Sequence, residues 1–321
     1  MREAAFIKQR QEEWEKFEEI LLNSKPDPDA LADMFIQLTD DLAFSQTQYP
    51  NSKTTIYLNG LASKVHQNVY KTKRVKKGRF SKFWLIELPL TVRACHPEMI
   101  YSFLIFLTAA LIGALSVAND DTFVRLIMGD TYVNMTLQNI SNDDPMAVYK
   151  QMGESEMFLR ITLNNIRVSF MVFVMGVVAP VGTPYTLFQN GVMLGAFQSF
   201  FYQEGLFLTS FLTIWIHGTL EISAIVIAGG AGIAMGNGIL FPGTFTRLES
   251  FKKRAKQGLK IIIGLVPIFI VAGFLEGFVT RQTDYPIFIK LLIIIASASF
   301  ILYYFGIFPF IVERRAGNKK N

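Results

Sequence analysis

A chain of 321 residues, 51% hydrophobic and with a mean hydropathy of +0.32, carries 31 basic against 26 acidic side chains, a net charge of +5. The basic residues flank apolar stretches, so the partner they suit is lipid phosphate rather than nucleic acid. The single cysteine, Cys95, excludes an intramolecular disulfide and any multi-cysteine metal site.

The first ~95 residues are polar and read as three amphipathic helices. Ile7, Trp14, Phe17 and Leu21 recur at helical spacing in the first, which Pro26 and Pro28 are expected to end. Leu31, Met34, Phe35, Leu38 and Leu42 share a face in the second. After Pro50, a cap at Asn51 or Ser52 opens a third, striped by Leu58, Leu61, Val65 and Val69. Each stripe needs a partner, which predicts a small cytoplasmic helical bundle. The N-terminus is charged and has no apolar core segment, so no cleavable signal peptide is expected.

Lys71 to Lys82 holds seven basic residues and no acid. The following Phe83-Trp84-Leu85-Ile86 run, broken by Glu87, Pro89 and Arg93, is too short and charged to span. It suits the membrane interface, with a solvated linker as the alternative. Ile100–Ala118 is the clearest span. The 36 residues from Val168 to Gln203 carry no ionisable side chain but tyrosines; Pro180, Gly182 and Pro184 divide them into two crossings, the second of which could instead re-enter. Leu206–Leu240 is longer than a ~30 Å hydrocarbon core needs, which predicts a strong tilt or a break at Gly229-Gly230 or after Gly236. Leu259–Val279 and Ile287–Val312 complete six crossings.

Fifteen basic residues precede Glu98, six lie between Arg247 and Lys260, and Arg314, Arg315, Lys319 and Lys320 close the chain. The segment Asn119–Arg167 has four against seven acids. The positive-inside rule places both termini in the cytoplasm and that segment outside. The expected fold is therefore all-α: a polytopic helical membrane protein of about six transmembrane helices with an N-terminal cytoplasmic helical bundle. Residues 1–95 form the cytoplasmic helical region with its basic interfacial segment. Residues 96–313 form the transmembrane domain with an extracytoplasmic loop at 119–167, and 314–321 a basic tail.

The ionisable groups inside the spans are the candidates for function, because such groups are costly in hydrocarbon. His217 and Glu221 stand at i and i+4 in an otherwise uncharged run and share a helix face. Glu276 lies near the far end of the next span. Asn190 is the expected third partner of the pair, and Asn164, Asn165 and Arg167 stand just outside the second span. Three uses are open: a polar lock between helices, a proton or substrate path, and a metal site, the last carrying the weakest signal because one His and two Glu lie at unknown separation. No positioned nucleophile accompanies His217, and Ser223 points to another face, so no enzyme, cofactor or metal is expected. Gly191 with Gly195, Gly232 with Gly236, and Gly273 with Gly277 are small-xxx-small pairs, for packing within the bundle or for a seam between two copies.

Trp14–Leu22 (WEKFEEILL), Asp41-Leu42-Ala43, Tyr57-Leu58-Asn59 with His66 and Tyr70, Asn164-Asn165 and Gln189-Asn190-Gly191 resemble the stage II sporulation protein M family. So do His217-Gly218-Thr219-Leu220-Glu221 running into Gly229-Gly230-Ala231-Gly232, and Glu276 before a final span. The resemblance implies a multi-spanning bacterial inner-membrane protein. The founding member works in engulfment during sporulation, as a membrane scaffold for peptidoglycan-degrading partners; the family is much wider than spore formers, so no sporulation role is carried over. The expected function is a non-enzymatic scaffold or component of a cell-envelope complex, partnered by lipid and by other envelope or membrane proteins, with self-association open. The alternative is a transport component with His217, Glu221 and Glu276 along a polar path.

Overall fold

The computed structural model describes residues 2–22, 28–71, 78–150, 153–178, 181–282 and 285–318. The expected stop at Pro26, most of the basic run after Lys71, the turn at Pro180 and the tail lysines Lys319 and Lys320 lie outside the described residues, as do the side chains of Leu31 and Val69. Among the described residues the fold is all-α, without a strand, and it divides into two compact units, Met1–Arg79 and Phe80–Asn321.

The first unit contains α1 (Glu3–Leu22), α2 (Pro28–Gln48) and α3 (Lys53–Lys71). Their apolar stripes meet in one core of Phe6, Trp14, Phe17, Met34, Leu38, Leu58, Leu61 and Val65. Pro28 opens α2 instead of only closing α1; its fixed φ suits a first helical position, where the missing N–H costs nothing. The buried Asp41 is held by the Trp14 indole N–H, which donates to Oδ2 at 2.9 Å, and by Arg10 at 3.2 Å. A buried carboxylate without those partners would be strongly unfavourable.

The second unit begins within α4 (Arg79–Lys82), followed by a π-helical turn Phe83–Glu87 and α5 (Leu88–Ala94). The expected interfacial segment is one helical run, docked on protein through its second half, while Phe80, Leu85 and Ile86 in its first half are exposed. Leu88 and Val92 are fully buried, with Leu88 against Gly264, while Glu87 pairs with Lys260 at 3.0 Å and Arg93 with Glu313 at 2.8 Å. Next come α6 (His96–Asn119), α7 (Phe123–Met128), α8 (Asp130–Ser141), α9 (Glu154–Val174), α10 (Gly182–Gln203), α11 (Phe207–Leu240), α12 (Arg247–Phe274) continued by a π-helical turn Leu275–Thr280, α13 (Ile287–Ile301) continued by another at Leu302–Ile307, and α14 (Phe308–Gly317). A capping box starts α12: Thr246 Oγ1 accepts from the Glu249 N–H, and the Glu249 carboxylate accepts from the Thr246 N–H.

Among the described residues, five helical segments are long and apolar enough to cross a membrane: His96–Asn119, Glu154–Val177, Phe207–Leu240, Arg247–Thr280 and Ile287–Gly317. The segment read as a third crossing, α10, is a 22-residue helix outside that set. Residues 119–167 are not an open loop, since α7, α8 and the first two-thirds of α9 fill most of them. The charges Glu154, Glu156, Arg160 and Arg167 do not interrupt α9, which runs through them.

Helix α11 is the centre of the bundle, packed by α6, α9, α10, α12 and α13. It is unbroken over 34 residues, ~51 Å at 1.5 Å per residue, so neither expected break occurs. Its glycines serve approach rather than bending: a Cβ at Gly229 would collide with Ser102 and Leu187, one at Gly230 with Met99, and one at Gly176 with the backbone of Gly232. Within lipid, where apolar burial gives helices no driving force, such close backbone packing holds them together. The Ser102 hydroxyl of α6 donates to the Val226 carbonyl of α11 at 2.6 Å, and the Thr183 hydroxyl of α10 to the Val172 carbonyl of α9 at 2.9 Å.

Candidate functional site

The one-turn spacing on α11 puts His217 and Glu221 on the same side of the central helix. From α12 the chain reaches the same point through the π-helical turn Leu275–Thr280, which carries Glu276 and Thr280. Such widened turns inside helices reset the register of the side chains they carry. The His217 Nδ1 lies 3.0 Å from the Thr280 hydroxyl oxygen, and its Nε2 lies 3.6 Å from Glu276 Oε2. One ligand atom each from His217, Glu221 and Glu276 falls within 4.8 Å of the others. The imidazole is buried and Glu276 keeps only 13% of its side-chain exposure.

Helix α9 supplies the third wall. Asn165 is 4% exposed and stands beside the Glu221 carboxyl. Thr162, one turn earlier, packs on Gly273, three residues before Glu276. Thr162 Oγ1, Asn165 Nδ2 and Ser169 Oγ recur at i, i+3 and i+7, and all three are buried without a hydrogen-bond partner. Buried polar atoms are nearly always satisfied, so three orphans on one helix face mark a polar interior. Two carboxyls this close, removed from water, require a counter-charge or a proton between them.

The structure places the other sequence candidates apart from this cluster. Asn190, expected as the third partner, gives its amide to the Thr186 carbonyl of its own helix at 2.8 Å. Gly191 presses against Phe106 and Ala109, because the glycine face of α10 is committed to α6. The buried amide beside Glu221 is Asn165, which belongs to the helical segment Glu154–Val177 that is long and apolar enough to cross a membrane; its neighbour Asn164 is exposed. Thr280 went unnoticed in the sequence, although it follows Glu276 by the same four residues that separate Glu221 from His217. The Thr162/Asn165/Ser169 stripe was equally readable from its spacing.

Two large apolar cavities flank the bundle. One, about 740 Å³, lies between α6, α10, α11 and the end of α13, and Ser223, Gln198 and Trp215 are among its lining residues. The other, about 530 Å³, is walled by α12 and α13 with Trp84 and Leu220. His217, Glu221, Glu276 and Asn165 line neither.

A family model described as Stage II sporulation protein M matches residues 102–281, more than half of the chain and all of the cluster. A second, described as a domain of unknown function, DUF8413, matches residues 4–71. The N-terminal motifs from Trp14 to Tyr70 therefore lie outside the first match. No curated protein and no solved structure matches.

Proposed function

The chain belongs to the Stage II sporulation protein M family, and from that premise we propose that it is a non-enzymatic scaffold of a cell-envelope complex in the bacterial inner membrane. The observation that carries this reading is the closed centre of the bundle. Helix α11 is packed backbone to backbone at Gly176 against Gly232, α10 meets α6 in the same way at Gly195 and Ala110, and both large cavities bypass the ionisable cluster. A helical body packed this closely suits holding partners in place better than passing a solute. The transport reading is favoured by one observation, the gathering of His217, Glu221 and Glu276 inside the spans.

The Glu221→Gln variant separates the two. A scaffold needs the shape and hydrogen bonding of that side chain, so crosslinking in native membranes should recover the same high-mass complex at wild-type abundance. A conduit needs the charge. Ion or proton flux in proteoliposomes that Glu221→Gln abolishes, with the complex unaffected, would replace the scaffold with a transporter.

With the 22-residue α10 as a sixth crossing, charge placement puts both termini and the Arg247–Lys260 segment in the cytoplasm. Asn142 and Lys256 are both exposed side chains, so each accepts an engineered cysteine. A membrane-impermeant thiol reagent added from the periplasmic side should label Asn142→Cys and spare Lys256→Cys. The reverse pattern would invert the topology. Native Cys95 is fully buried and contributes little background.

A further inference from the structure

We infer that His217, Glu221 and Glu276 form a binding site for one divalent transition-metal cation of the zinc class, inside the membrane-spanning bundle. The inference does not depend on the scaffold role. Its first support is the donor set, one imidazole and two carboxylates from two helices, with ligand atoms inside 4.8 Å. Zinc accepts this mixture of nitrogen and oxygen ligands, and three protein ligands leave one position open.

The second support is spacing. The 3.6 Å between His217 Nε2 and Glu276 Oε2 is too long for a hydrogen bond. It is close to the ~3.4 Å that separates two ligand atoms bound at ~2.0–2.1 Å on a tetrahedral ion. Thr280 bears on the opposite ring nitrogen at 3.0 Å. We assign the Nδ1 proton to that contact, so the Thr280 oxygen accepts and the Nε2 lone pair faces the carboxylates. A histidine ligand whose other ring nitrogen is anchored to an oxygen is the usual arrangement at metal sites.

The third support is charge. Two carboxylates and a neutral imidazole carry −2, which a divalent cation brings to zero, the condition hydrocarbon favours. Asn165 is an independent sign of a ligand-oriented shell: 4% exposed, its amide nitrogen is unpartnered and lies beside Glu221, placed to hold that carboxylate in register. Thr280 and Asn165 are positioning residues, not ligands.

The test uses the full chain purified in nanodiscs, stripped with chelator and titrated with zinc or cobalt(II). Expected are one zinc per chain by elemental analysis and a cobalt spectrum in the visible range that zinc erases. Glu276→Gln and His217→Gln should each weaken zinc binding at least about 100-fold, and Thr280→Val about 10–100-fold with the stoichiometry unchanged. Asn190→Ala, which touches none of the cluster, should bind as wild type. If the substituted proteins do not fold, the wild-type cobalt spectrum and a zinc-dependent rise in thermal stability decide the matter. Absence of zinc and cobalt binding by the wild type, or undiminished binding by a folded His217→Gln/Glu276→Gln double variant, would overturn the site and leave a shared proton as the countercharge.

Discussion

Replacing His217 with leucine should destabilise the bundle by about 1–3 kcal/mol, the cost of leaving a buried hydrogen-bonding partner unsatisfied. The leucine fills the space but offers nothing to Thr280 or Glu276, whose contacts at 3.0 and 3.6 Å are both made by the imidazole. Glu276→Leu should cost a similar amount. The double variant should cost less than the sum, by a coupling of about 0.5–3 kcal/mol, because either single change already strands what remains. Reversible unfolding in bicelles or mixed detergent measures all four corners of that cycle. Asn190→Ala should stay within about 0.5 kcal/mol of wild type, since its amide bonds only its own helix. Additive losses for His217 and Glu276 would show that the cluster is a coincidence of packing.

Gly195→Leu should be worse than an ordinary overpacking change of about 1–3 kcal/mol and should remove most of the folded protein. A Cβ there runs into the carbonyl oxygen and backbone of Ala110, and Gly191 nearby meets α6 in the same manner. A flexible side chain could turn aside, but a backbone carbonyl cannot move without prising α6 from α10. Gly306→Leu is the matched control, since a Cβ at Gly306 meets nothing within 4 Å. Yield of monodisperse protein and its melting temperature should fall sharply for the first and barely move for the second. Equal tolerance at both sites would mean that α10 is held on α6 by something other than close backbone contact.

Chain composition determined by itself that this is a helical membrane protein. An uncharged run from Gly205 to Thr246, interrupted by His217 and Glu221, has no other stable solution in hydrocarbon, where every backbone polar group must be satisfied within its own helix. The N-terminal stripes were equally legible, because Trp14, Leu38 and Val65 keep helical periodicity and each helix has one side to bury. Local spacing placed His217 and Glu221 together, since i and i+4 is a property of one helix.

Tertiary structure alone decided the rest. Whether Gly229-Gly230 breaks α11 depends on what lies opposite, and Met99, Ser102 and Leu187 arrive from other helices. The choice of Asn165 over Asn190 beside Glu221 turned on which face of α10 was already committed to α6. That Glu276 and Thr280 meet His217 required a π-helical turn at the end of α12, and the 58 residues between His217 and Glu276 give no local signal of it. Periodicity reports which side of a helix must be hidden, whereas the partner it hides against is fixed by packing between elements distant in sequence.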